Sequence, residues 1–322
     1  MGLWPGLVLT DSSITDMNKI SVIGVGRVGE CVAQQIAERN LCKELMLVDV
    51  RAAIPQTVAL DIMELYALHP SATRVNGCND ASGLVDSDLV VICTGLARSE
   101  DHSRAGFLKV AARMIDDMVA SIALYAPNAT ILVVSTPVEV MTYQAFLCSG
   151  FERGQVVGHG GVLDAARLAG LISMETGFPA SEVKVMVIGG QGDMQIPLVR
   201  YATVGGVPLT QLLDQASIED IVERAQSSVA EILSLRKSTP SYDLLAGSVT
   251  RMVDCMAHDR RCVLPAAAVL DGEYGQKDLA LGVPCVLGRH GIERIIEVPL
   301  MEDEQLRLAL ATEKVQDSIA KL

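Results

Sequence analysis

Gly24, Gly26 and Gly29 form a G-x-G-x-x-G pattern directly after the apolar run KISVI and directly before the amphipathic run RVGECVAQQIAER. A strand that ends on this motif and feeds a helix has few folds open to it. The glycines permit a tight turn and let the backbone approach a pyrophosphate. The N–H groups of the first helical residues, Arg27, Val28 and Gly29, then face that anion with the positive end of the helix dipole. The pattern also fits a Gly-rich turn that binds nothing, so its partner residue matters. Asp49 ends the second apolar run, ELMLVD, twenty residues after Gly29. A carboxylate there hydrogen-bonds the ribose hydroxyls of an adenosine and repels a 2′-phosphate, which points to NAD rather than NADP.

Residues 19 to 158 alternate short aliphatic runs with helical patterns. The runs are KISVIG, ELMLVD, TRVNGC, DLVVICTG, ATILVVS and QVVG, with RVGECVAQQIAER and IPQTVALDIMELYAL among the helices between them. Six strands joined by helical crossovers predict an α/β fold with a doubly wound parallel sheet. The second half reads differently. A helix is expected near Val162, then a strand pair VKVMVIGG and IPLVRYATVGG, a long helix from about Ile218 and a terminal helix from Glu302. This predicts a second, mixed α/β domain. The expected organisation is an N-terminal extension, 1–16, outside the core; a dinucleotide-binding domain, 17–158; and a substrate domain, 159–322. Met17-Asn18-Lys19 leads directly into the first strand, and no repeat or low-complexity linker separates the domains, so they are expected to pack closely.

Composition narrows the function classes. The formal net charge of −13 disfavours nucleic acid and anionic membrane, though local arginines still admit an anionic small molecule. No apolar run reaches the ~18 residues of a membrane span, the N-terminus lacks a basic region, and Gly6 stands where myristoylation wants Ser or Thr. The eight cysteines form no C-x-x-C pair and several lie in apolar runs, as reduced core thiols of a cytosolic protein do. The five histidines lack metal-ligand spacing, so no metal is expected.

From about Asn18 to Leu322 the chain resembles the lactate/malate dehydrogenase family. The segments that carry the likeness include VIGVGRVGE, VICTGLAR, STPVEVMTY, GVLDAARL, VMVIGGQGD and IPLVRYATVGG. Within the family the chain looks most like the bacterial lactate-dehydrogenase-like malate dehydrogenases. The resemblance implies NAD as cofactor, with Thr94 and Gly95 of VICTG among its contacts. It places Arg167 on a substrate carboxylate, where a guanidinium fork fits well. Arg98 falls where substrates are told apart, and an arginine there suits a dicarboxylate such as malate or oxaloacetate. Arg104 falls on the active loop, where the reacting carbonyl is polarised. Each arginine alone is as readily a solvated surface charge.

The same resemblance exposes departures. Asp164 matches the carboxylate that orients a catalytic histidine, yet the histidine position in GGQGDM is Gln191. An amide can donate to a carbonyl oxygen but does not accept a proton near neutral pH. The active loop, basic and Pro-Gly-rich in the family, reads Arg98-Ser99-Glu100-Asp101-His102-Ser103-Arg104. Thr136 replaces an asparagine that holds substrate and nicotinamide, and Thr57 stands where glycine is usual. His159 and, after it, His102 are the candidates for a relocated acid/base; a packed or solvated histidine is the plainer reading of each. The family associates largely through the helix read here as IPQTVALDIMELYAL, and through helices of the second domain; the face Val58, Ile62, Leu65 is expected to be exposed without such a partner. A homodimer or homotetramer is therefore anticipated, with a hetero-assembly as the alternative. Two functions stand: a catalytically impaired, NAD-binding regulatory or structural subunit, or a working 2-hydroxy-acid dehydrogenase with altered proton chemistry or substrate.

Overall fold

A computed structural model describes Thr15 and residues 17–95, 104–236 and 242–322; of 104, 105, 229, 230, 233 and 236 it describes the backbone alone. Six parallel strands form the first half: β1 (Lys19–Ile23), β2 (Glu44–Val48), β3 (Arg74–Cys78), β4 (Leu89–Ile92), β5 (Thr130–Val133) and β6 (Val156–Gly158). Their order is β3-β2-β1-β4-β5-β6. Every residue of β4 and β5 is buried, which is why these strands read as unbroken apolar runs rather than alternating ones. The helices that cover the faces are α1 (Arg27–Glu38), α2 (Ile54–Glu64), α3 (Arg104–Tyr125) and α4 (Val138–Ser149). In α1 the buried set Val32, Ala33, Ile36, Ala37 recurs at helical spacing and holds the helix on the sheet. Because β1 pairs with both β2 and β4, the strand order reverses beside it, and a crevice opens at the carboxyl ends of β1 and β4.

The second half contains α5 (Val162–Thr176), β7 (Val183–Lys184), β8 (Val187–Gly189), β9 (Gln195–Pro197), β10 (Thr203–Val204) and β11 (Val207–Pro208). It continues through α6 (Gln215–Arg236), α7 (Asp243–Ala257), β12 (Cys262–Asp271), β13 (Lys277–Gly288), β14 (Gly291–Ile295) and α8 (Glu302–Ile319). The main sheet does not stop at β6. It continues antiparallel through β12, β13, β8 and β9, with β14 on β13, giving eleven strands. The junction is the pairing of Ala267 with Gly158. The two halves thus share one hydrogen-bonded sheet, and α7 packs on it through a buried face that includes Val249, Met252, Val253 and Met256.

Three expectations are corrected. The single strand pair expected over VKVMVIGG and IPLVRYATVGG is broken into pieces: β8 and β9 join the main sheet, whereas β7 and β10 join β11 in a separate three-stranded sheet. Pro197, which has no N–H to extend the ladder, ends β9, and a 3-10 turn at Val199–Tyr201 follows. The α2 face is also reassigned. Pro55, Ala59 and Ile62 form its buried stripe and Val58 packs against the core, so Ile62 is 4% exposed. The exposed apolar side chains are Leu60, Met63 and Leu68. Lastly, Thr15 falls inside the segment expected to lie outside the core, yet it is buried. Its hydroxyl lies 3.2 Å from the Leu41 carbonyl and 3.1 Å from that of Ala257. The rest of 1–16, Trp4 included, lies outside the described residues.

Candidate active site

The turn from β1 into α1 forms the first wall. Gly24 has φ +89°, and a Cβ there would stand 2.8 Å from the Thr94 nitrogen. A Cβ on Gly29 would meet the Gly24 carbonyl oxygen at 2.0 Å, so only glycine lets the helix approach so closely. Gly26 caps α1 without a side-chain hydrogen bond. The N–H groups of Arg27, Val28 and Gly29 therefore have no intrahelical acceptor. Nothing lies within 4 Å of where a Cβ on Gly26 or on Gly95 would be. An open cradle of unspent N–H donors at a helix start fits a dinucleotide pyrophosphate.

Asp49 ends β2 beside this turn and is 8% exposed. Its Oδ2 accepts the Val25 N–H at 2.8 Å. Arg51, which the sequence reading passed over, takes the rest of the carboxylate. Its Nε and backbone N–H each donate to Oδ1 at 2.9 Å, and its Nη2 donates to Oδ2 at 2.7 Å. The Arg51 hydrogen bonds hold the Asp49 carboxyl down at about 2 against the opposing effect of burial.

At the far end of the crevice, Thr94, Gly95, Ser135 and Thr136 converge with Ala111 and Ile115 of α3 around a cavity of about 10 Å³. That is room for roughly one water. Ser135 Oγ donates to the Thr94 carbonyl at 2.5 Å, tying the ends of β4 and β5 together. The Thr136–Pro137 peptide is cis. A cavity of about 310 Å³ between Tyr274 and α8 has none of these residues in its lining. Arg98, Glu100, Asp101 and His102 lie outside the described residues; Arg104 opens α3, and its side chain is not described.

Behind this end lies a buried ionic cluster. From the second turn of α5 to the first, Arg167 Nη1 donates to Asp164 Oδ1 at 2.8 Å, with the two side chains 13% and 3% exposed. Burial pushes Asp164 up, and the Arg167 charge pulls it back only in part. Asp164 thus meets the arginine assigned to substrate. Among the described residues no hydrogen bond joins it to the Gln191 amide. Gln191 instead uses its backbone: its N–H donates to Glu139 Oε1 at 3.1 Å. The loop around it is a built structure. Gly189 has φ +88°, a Cβ there would stand 2.4 Å from the Met194 oxygen, and the Gly190 N–H closes the loop on that same oxygen at 3.1 Å.

Two residues change their expected standing. His159 is fully buried, and its Nε2 lies 2.8 Å from Ser248 Oγ. Burial first, and the Arg167 charge second, push it down to about 4. It is a packed, neutral imidazole and a weak base, which corrects its candidacy as a relocated acid. Glu139 was missed. It is 1% exposed, and burial raises it to about 7, with a smaller push from Asp164 and an opposing pull from N–H groups including that of Gln191. The legible signal was an acid inside the otherwise apolar helix start PVEVM.

Residues 18–158 match the NAD-binding domain of lactate/malate dehydrogenases, and residues 161–322 match their α/β C-terminal domain. The chain belongs to the lactate/malate dehydrogenase family. A malate dehydrogenase from Thioalkalivibrio sulfidiphilus is 42% identical over 306 residues, 95% of this chain and 100% of that protein. A malate dehydrogenase structure from Salinibacter ruber superposes with a TM-score of 0.89 at 38% identity, covering 94% of this chain and 97% of that one. A Cryptosporidium parvum lactate dehydrogenase, solved with lactic acid and nicotinamide adenine dinucleotide, gives 0.89 at 31% identity over 95% and 98%. Membership makes NAD the cofactor of this chain, and a small hydroxy-acid the class of molecule the family handles. Among the described residues no helix is long and apolar enough to cross a membrane, and no cluster of His, Cys, Asp or Glu could hold a metal.

Proposed function

We propose that this chain is a malate-dehydrogenase-like protein that binds NAD(H) and turns over malate poorly or not at all. Bound NAD(H) supplies and receives the hydride; the chain must move the proton. The observation that carries the reading is the state of Asp164. A carboxylate assigned to orienting an imidazole has an amide at the partner position, Gln191, and is paired with Arg167 instead. Arg167 then enters a substrate complex only by sharing or leaving Asp164. Removing a positioned acid/base costs about 10²–10⁴-fold in rate. Thr136 in place of an amide and the acidic loop at Glu100 and Asp101 act in the same direction. Such a chain is suited to a regulatory or structural subunit. The test is dinucleotide binding and oxaloacetate turnover measured on one sample, with binding retained and turnover low.

One observation favours a second reading, a working dehydrogenase. Glu139 is a carboxyl raised to about 7 and bonded to the Gln191 N–H. If it serves the reaction, Glu139→Gln abolishes a measurable basal rate; on the first reading it leaves a negligible rate negligible.

Assembly is proposed on α2 and the turn after it. Leu60 is 54% exposed and Leu68 75%, with Met63 beside them, an apolar edge unfavourable for a monomer in water. Light scattering at micromolar concentration should give a homodimer or homotetramer, or a mixed assembly with an enzyme partner, rather than the mass of one 34.3 kDa chain. A monomer would count against it.

A further inference from the structure

Asp49 reads the adenosine ribose in a chain of this type, yet none of its acceptor positions is open. A carboxylate oxygen accepts about two hydrogen bonds. Oδ1 holds the backbone N–H and Nε of Arg51, and Oδ2 holds the Val25 N–H and Arg51 Nη2. Arg51 Nη2 also donates to the Val25 carbonyl at 2.9 Å. Asn79 fixes the backbone beneath, its Nδ2 donating to the carbonyls of Asp49 and Arg51 at 2.8 Å each. A ribose entering this corner meets an ion pair, not a bare carboxylate. The charge that would repel a 2′-phosphate is balanced at contact distance. The Arg51 side chain is 55% exposed, and among the described residues its Nη1 has no hydrogen bond. A guanidinium held along one edge by a carboxylate, with another edge open to solvent, is oriented to receive phosphate oxygens.

We propose that the adenosine corner of this chain admits a 2′-phosphate on Arg51, so that NADP(H) binds in the same crevice as NAD(H). The inference rests on dinucleotide binding at Gly24–Gly29 and narrows the discrimination that Asp49 alone would impose. Only the guanidinium half of the pair stands in water, and a planar fork can turn its open edge to a phosphate while the other edge keeps its hold on Asp49. Ribose hydroxyls, by contrast, must displace an Arg51 bond to reach Asp49.

The test titrates the full chain with NADH and NADPH by nicotinamide fluorescence, and with AMP and 2′,5′-ADP by calorimetry to isolate the corner. The expected wild-type affinities for NADH and NADPH lie within about tenfold of each other. Arg51→Ala should weaken NADPH and 2′,5′-ADP by about tenfold or more, the loss of one charge-assisted phosphate contact, while NADH binds no worse. Arg51→Lys should fall between. A wild-type gap larger than tenfold in favour of NADH overturns the proposal, and so does a ratio that Arg51→Ala leaves unmoved. The wild-type ratio alone decides should a variant fail to fold. Absence of NADH binding is a separate result, which overturns the dinucleotide reading and this inference with it.

Discussion

Gln191→His is expected to raise oxaloacetate reduction by about tenfold or more, yet to leave it short of an ordinary family enzyme, since a positioned acid/base is worth about 10²–10⁴-fold. The shortfall has structural causes. Asp164 is bonded to Arg167, so a new imidazole at 191 must compete for the carboxylate that should orient it. The position is also tethered by its own N–H to Glu139. Thr136 still lacks an amide, and the loop keeps Glu100 and Asp101. Adding Thr136→Asn and a Lys-Pro-Gly loop should raise the rate further and non-additively, because these groups act as a unit. The measurement is kcat for oxaloacetate across the series. Equal, independent gains from each change would contradict the coupling, and no gain from Gln191→His would remove position 191 from the explanation.

Glu139→Gln is expected to change the pH dependence of stability. In the unfolded chain Glu139 ionises near 4.5, and in the folded protein at about 7. Between those values the folded state holds a proton the unfolded state has lost. The contribution is fully present below the unfolded value and disappears as pH rises through about 7. The shift corresponds to at most about 3 kcal/mol. His159 runs the other way: its folded value of about 4 lies below its ordinary 6.5, so it favours folding increasingly as pH rises over that span. The two slopes oppose each other in the wild type, so the difference between variants is the informative quantity. Denaturant midpoints should show Glu139→Gln gaining on wild type as pH rises from 4.5 to 7, and holding that gain above 7. A difference independent of pH would show that Glu139 carries no raised proton.

Much of the first half was legible because its signals are local. The turn at Gly24–Gly29 needs its glycines for steric reasons, and β4 and β5 are buried on both faces, so periodicity and motif agree. The second half was harder. The strand β12 is rich in alanine, which has weak strand preference, and gains its place only by pairing with β13 and β6. The helix α7 was not read from the sequence, although its buried residues Ala246, Val249, Val253 and Met256 recur at helical spacing. The α2 face was misassigned because Val58, Ile62 and Leu65 are apolar at helical spacing, as is the stripe that packs on the sheet. At the site, the sequence named Asp49, Asp164, Arg167 and Gln191 but not their partners. Nothing in residue order says that Arg51 folds back on Asp49, that Arg167 takes Asp164, or that Glu139 lies under Gln191. Those pairings arise from burial, where each charge must find a counterpart or keep its proton.

The central claim is that the crevice binds the dinucleotide while the proton-transfer position is an amide. The most direct measurement is steady-state reduction of oxaloacetate by the wild-type chain, after NADH binding has been shown on the same sample and beside a family malate dehydrogenase. The account predicts retained NADH binding with turnover at least about 10²-fold lower than the comparison enzyme. Turnover at an ordinary dehydrogenase rate would contradict it and would direct the search for the proton carrier to Glu139.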